Sequence, residues 1–227
     1  MKKISYAFVL YFLVLPLLHS TSVEAGVRLS AVGGLGVGSL IGFRDGADTN
    51  FNPEVGAEIE LKLFFIGLEA GLFWDKRNAS YTSTSNNAAY GTLRETYYYS
   101  GSALVLPVLA RIWPVDNFSI GAGPYGARYI GDIGYTAGVL GPKNGLPKTT
   151  YLRTEGSEGY DAANRKTYDA GGVVSLMWGT KSGSGSFTFV DLRYSRSFFD
   201  QTLAPGDAFS KSYFSVFQIL IGFGPSF

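Results

Sequence analysis

From Glu54 to Leu63 every second residue is apolar. Val55, Ala57, Ile59, Leu61 and Leu63 alternate with Glu54, Gly56, Glu58, Glu60 and Lys62. Successive side chains of an extended strand leave opposite faces, so this segment has one apolar and one charged wall. The period recurs along the chain. In a first segment, Val27 to Ile41, Val27, Leu29, Ala31, Leu35 and Val37 share one face and Arg28, Ser30 and several glycines the other. The segment around Glu58 runs from Pro53 to Phe64. A third, Ile66 to Arg77, turns Leu68, Ala70, Leu72 and Trp74 outward and Glu69, Gly71 and Asp75 inward. A fourth, Thr96 to Trp113, is apolar on both faces near Leu104 to Leu109; its parity places Leu104, Leu106, Val108 and Ile112 outward and Arg111 inward. A fifth and a sixth span Phe118 to Ile130 and Thr167 to Trp178. The seventh, Ser186 to Phe198, puts Val190, Leu192 and Tyr194 out and Asp191, Arg193 and Ser195 in. The eighth, Ser212 to Phe227, puts Tyr213, Phe217, Ile219, Ile221 and Phe223 out and Gln218, Gly222 and Gly224 in.

The links between these segments alternate in length. Phe65, Pro114 to Asn117 and Gly179 to Gly185 are short; Gly42 to Asn52, Asn78 to Glu95, Gly131 to Lys166 and Phe199 to Lys211 are long and polar. Short periplasmic turns, long outer loops and apolar-out, polar-in strands describe an outer-membrane barrel. The expected fold is therefore all-β: a transmembrane up-and-down antiparallel β-barrel of 8 strands with both ends on the periplasmic side. A hairpin of Tyr135 to Leu140 with Thr149 to Arg153 would raise the count to 10 and open a narrow lumen. Aromatic residues gather near both strand ends. Phe64, Phe65, Trp113, Trp178 and Phe227 fall at the short-turn end, and Trp74, Tyr97 to Tyr99, Tyr129, Tyr168, Phe198 and Tyr213 at the other. Such rings settle at bilayer interfaces. Trp74, Trp113, Trp178, Tyr213 and Phe227 are thus expected as interface aromatics.

Residues 1–25 carry the marks of an export signal: Lys2 and Lys3, an apolar stretch from Tyr6 to Leu18, and a small-residue site at Val23-Glu24-Ala25. The barrel domain is then 26–227. Removing Lys2, Lys3 and Glu24 from 19 basic and 18 acidic residues leaves 17 of each. A neutral chain offers no basic face for nucleic acid. No cysteine is present, which removes disulfides and thiolate metal sites. The sole histidine, His19, lies in the signal, so the mature chain has none.

That absence constrains catalysis, since histidine is the usual acid or base of barrel hydrolases near neutral pH. The inward carboxylates could in principle pair for acid–base work. The better expectation is a structural ion network of Glu58, Glu60, Lys62, Glu69, Arg111, Asp191 and Arg193, because charges inside a narrow barrel need partners. No enzyme activity, cofactor or metal site is expected. Asp45, Asp48 and Asn50 lack the glycine and closing glutamate of a calcium loop. Gly34 to Gly38 resembles a phosphate loop without its strand-turn-helix setting. Eight strands enclose a space that side chains fill, which disfavours a diffusion channel.

Three stretches carry a family likeness: Leu104 to Pro114 (LVLPVLARIWP), Phe118 to Tyr125 (FSIGAGPY) and Val190 to Phe198 (VDLRYSRSF). They resemble the PorT-like, "porin family" outer-membrane β-barrel domain common in Bacteroidetes. Val105 stands where many relatives have glutamate. The resemblance implies an eight-stranded barrel with a periplasmic N-terminus, in the outer membrane of a Gram-negative bacterium, whose last strand and terminal Phe227 are read by the barrel-assembly machinery. Expected partners are outer-membrane lipid, that machinery during insertion, and a surface or periplasmic protein. The expected role is structural, docking or surface interaction. A narrow channel or transport accessory is the alternative, and a soluble secreted ligand-binding β-barrel the second alternative.

Overall fold

The computed structural model describes residues 25–41, 47–87, 91–141, 150–159, 167–182, 185–199 and 213–227. The export signal lies outside them except for Ala25, as does Asp45. The described strands are β1 (Gly26–Ile41), β2 (Ala47–Asp48), β3 (Asn50–Leu63), β4 (Ile66–Asn87), β5 (Gly91–Val115), β6 (Phe118–Gly141), β7 (Thr150–Gly159), β8 (Tyr168–Lys181), β9 (Ser186–Ser197) and β10 (Tyr213–Pro225). Eight of them close a ring of antiparallel neighbours in the order β4, β3, β1, β10, β9, β8, β6, β5 and back to β4. Closure leaves no sheet edge, which is what lets strands cross a medium without water.

Register shows how the ring is sheared. Ile66 lies across from Ile112, then Ile120, Leu176, Leu192, Ile219, Leu35 and Pro53 in turn. Pro53 falls one step past the Glu54–Asp75 pair, opposite position 76. One circuit from 66 thus returns ten residues higher, at 76, and this stagger tilts the strands against the barrel axis.

The remaining two strands lie outside the ring. The hairpin foreseen near Tyr135 does form, with Tyr135 across from Gly156 and Leu140 across from Tyr151. However, β7 pairs only with β6, above the stretch of β6 that pairs β8, so the lumen is not widened. The ten-stranded alternative is therefore corrected to eight. Much of the sequence assigned to outer loops is also strand: β4 and β5 stay paired up to Asn87 and Gly91, and β5 and β6 up to Arg94 and Leu140. Thr, Ser and Tyr make this stretch polar enough to resemble a loop, yet Thr and Tyr favour extended backbone. The result is a ribbon continuing from β4, β5, β6 and β7 past the barrel rim. Gly131 marks the transition. Its φ is 72°, a conformation that suits glycine, and the β5–β6 register slips beside it between Ser100 and Ser102.

The opposite end turns tightly. Phe64 and Phe65 join β3 to β4, with Phe64 at φ 58°, and Asp116 and Asn117 join β5 to β6. Pro107 donates no hydrogen bond, and the β4–β5 ladder is interrupted beside it, between the Ala70–Val108 and Phe73–Val105 pairs.

The two walls differ as alternation demands. Outward positions are apolar and open: Leu35 is 59% exposed, Val55 55%, Ile221 60% and Phe223 59%. In water, a continuous belt of this kind would be far larger than the apolar patches monomeric proteins show. Inward lie Phe73, Leu109, Met177, Phe189 and Leu220, all essentially inaccessible, together with the charged residues. Gly222 makes room for the Phe189 ring, which a Cβ at that position would overlap.

Candidate functional site

The lumen is filled by two layers of charge. Short-range alternation aims each residue inward, and tilt brings residues far apart in sequence to one height. In the layer nearer the short turns, the hub is Arg111 on β5. Its Nε donates to Glu69 Oε2 at 2.5 Å, its Nη2 to Asp191 Oδ2 at 2.9 Å and its Nη1 to Ser119 Oγ at 3.2 Å. Arg193 on β9 donates through Nε to Asp191 at 2.7 Å and through Nη2 to Glu58 at 2.7 Å and Glu69 at 2.9 Å. Arg28 on β1 reaches Glu58 Oε1 and Glu60 Oε2, each at 3.0 Å. Every one of these side chains is buried.

The second layer centres on Arg77 of β4. It contacts Asp169 at 2.6 Å and Asp75 at 3.0 Å, and its Nη1 donates to the Tyr129 hydroxyl at 3.1 Å. The Tyr125 hydroxyl and Ser197 Oγ also donate to Asp169. Glu54 accepts from the Gln218 amide, a contact between β3 and β10.

Four buried guanidinium groups (Arg28, Arg77, Arg111, Arg193) thus face seven buried carboxylates (Glu54, Glu58, Glu60, Glu69, Asp75, Asp169, Asp191). Neutral donors supply much of the difference: Trp113 to Glu60 at 2.6 Å, Ser175 to Asp191 at 2.5 Å, and the donors to Asp169 and Glu54. Charges removed from water require such partners. Arginine serves because its planar fork donates to several carboxylates at once.

Of the seven residues expected in the network, six meet in the first layer: Glu58, Glu60, Glu69, Arg111, Asp191 and Arg193. Lys62 does not. It sits at the short-turn mouth, 3.8 Å from Asp116 and 4.8 Å above the Trp113 ring. Arg28, Arg77, Asp75 and Asp169 were not assigned to the network. Parity placed Arg28 and Asp75 inward, and Arg77 follows from Asp75 by the same period, but no local signal pairs Arg77 with Asp169, 92 positions away.

Among the expected interface aromatics, Trp74, Trp178 and Phe227 are exposed and Tyr213 is partly exposed. Trp113 requires correction. It is 5% exposed, faces the lumen and packs edge-on to Phe187. Its position two residues after inward Arg111 already demanded this. Tyr129, grouped with the outer-end rings, also points inward to Arg77. The side chains of Tyr97 to Tyr99 lie outside those described.

Among the described residues, a mouth cavity and a small inner one border this packing. A mouth cavity of about 370 Å³ is lined by Arg28, Glu60, Lys62, Trp113, Lys181 and Phe187 among others. A separate one of about 20 Å³ lies between Glu54, Asp75, Arg77 and Arg193, room for roughly one water. Phe73, Leu109 and Leu220 are fully buried in the lumen beside these charges.

No family model matches the chain, and no curated protein matches it. Among solved structures it is similar to Ail, the attachment invasion locus protein of Yersinia pestis, in complex with the heparin analogue sucrose octasulfate (8% identity, 90% of this chain and 99% of that one, TM-score 0.38). It is also similar to the outer membrane protein OprG from Pseudomonas aeruginosa (13% identity, 91% and 98%, TM-score 0.41). A third is the Pseudomonas putida toluene transporter TodX (8% identity, 95% and 93%, TM-score 0.21).

Proposed function

We propose that this chain is a small outer-membrane barrel of a Gram-negative bacterium that serves a structural, docking or surface-interaction role. The observation that carries the reading is the closed lumen. The lattice of Arg28, Arg111 and Arg193 with Glu58, Glu69 and Asp191 occupies the space through which a solute would pass. The same filling disfavours the soluble ligand-binding alternative, since the cavity at the short-turn mouth is open and lined by charged residues rather than enclosed and apolar. The exposed apolar belt disfavours it again. The ribbon of β4, β5, β6 and β7 past the rim is where a protein partner would meet the molecule. The PorT-like assignment rests on the three stretches quoted above. The absence of histidine from the mature chain supports a non-enzymatic role.

Planar-bilayer recording of the purified protein tests the reading. No stepwise conductance is expected at ordinary voltages; clear, reproducible openings would replace it with the channel alternative.

A further inference from the structure

Among the described outward-facing side chains of the eight ring strands, only three are charged, and all three are cations: Lys76 on β4, Arg128 on β6 and Arg196 on β9. None has a carboxylate partner among the described residues. All lie toward the long-loop end.

Register places them at one height. Lys76 lies opposite Ser102, which lies opposite Ile130. Arg196 lies opposite Gly172, which lies opposite Pro124. Measured along β6, the three cations therefore project to positions 130, 128 and 124, falling six residues over four strand steps. The ring climbs ten residues over eight steps in that direction, so a fall of about five per half-circuit keeps a constant height. The cations form an arc on every second strand; four steps at roughly 4.8 Å across and six residues at roughly 3.3 Å along make it about 28 Å long. At that height the described outward positions of β10, β1 and β3 hold Tyr213, Phe217, Leu35, Val37 and Phe51, with no charge.

Each arginine also has an aromatic brace. Arg128 stands 6.0 Å from the centroid of the Tyr168 ring on β8, and Arg196 stands 6.0 Å from that of Tyr213 on β10. A ring beneath a guanidinium holds it in place while its donors stay free.

We infer that this arc binds the headgroup of a lipid carrying more than one phosphate. The inference rests on the membrane reading above. An unpaired basic residue beside an apolar belt extends its head to the lipid–water boundary, where the anions are headgroup phosphates. Arginine holds phosphate through paired donors. A zwitterionic headgroup has no net charge to offer, and a single phosphate cannot span Arg128 and Arg196, whose backbones lie two strands across and four residues along, about 16 Å apart. Among the described residues the placement is one-sided, which sets it apart from a uniform interfacial girdle.

The test uses protein purified from membranes and inserted into phosphatidylcholine nanodiscs doped equally with bisphosphorylated lipid A or with phosphatidylglycerol. Lipid retained after mild delipidation is counted by mass spectrometry, and a heat-dependent gel shift verifies the fold of each variant. Wild type should retain lipid A several-fold above its bulk fraction and phosphatidylglycerol near its bulk fraction. Arg128→Gln/Arg196→Gln should bring lipid A down to bulk, and Arg128→Lys/Arg196→Lys should recover part of the enrichment. Equal retention in wild type and the Gln variant, or equal retention of both anionic lipids, overturns the inference while leaving a folded membrane barrel. A chain that stays monomeric in water without detergent sinks the membrane reading itself.

Discussion

The inner and outer walls of this barrel are built from the same strands and follow different rules. On β9, Val190, Leu192 and Tyr194 face out while Asp191 and Arg193 face in. Leu192 needs only to be apolar, because its environment is a solvent with no preferred partner. Asp191 accepts from Arg111, Arg193 and Ser175, contributed by β5, β9 and β8. The outer wall is thus specified residue by residue, and the inner wall only as a set. Substitutions inside should depend on what the partners lose; substitutions outside should depend on polarity alone.

The sharpest break of that contrast is Arg111→Ala. It leaves Glu69 and Asp191 buried with a cation removed, and losing one partner of a buried ionic pair costs about 3–5 kcal/mol. Urea unfolding of the protein in lipid vesicles, followed by gel shift, should show the loss; a cost under about 1 kcal/mol, the scale of exposed ion pairs, would mean that the lattice is hydrated and weak. Next comes Leu192→Arg on the outer wall, where a cation near the bilayer middle costs about 2–4 kcal/mol. The same assay should show a much smaller penalty in a detergent micelle than in a bilayer, and an equal penalty in both would contradict its facing lipid. Smallest is Trp113→Phe, which keeps the ring near Phe187 and removes the donor to Glu60. Hydrogen bonds to charged groups contribute about 1.5–3 kcal/mol, so the loss should stay within that range. Tryptophan fluorescence offers a second check: removing a lumen-facing ring should abolish signal that lipid-borne quenchers do not reach.

The outer wall was legible in the sequence because period-two alternation is a local property. Val55 to Leu63 and Phe217 to Phe223 are both described as exposed on the face their parity gives. Trp113 and Tyr129, placed by nearness to a strand end instead of by parity, face the lumen. Strand ends were less legible than strands. Asn78 to Asn87 is polar because the ribbon it joins leaves the membrane, so composition marked a change of solvent and not the end of pairing.

By itself, the sequence determined the apolar and polar faces of the strands wherever parity was followed, since these come from a two-residue period, while the choice between eight and ten strands in the ring waited on where β7 pairs. Only the tertiary structure decided that Arg111 meets Asp191, that Arg77 meets Asp169, and that Lys76, Arg128 and Arg196 share one height. Those relations depend on the ten-residue stagger of the closed ring, and a stagger summed over eight pairings leaves no trace in any single strand.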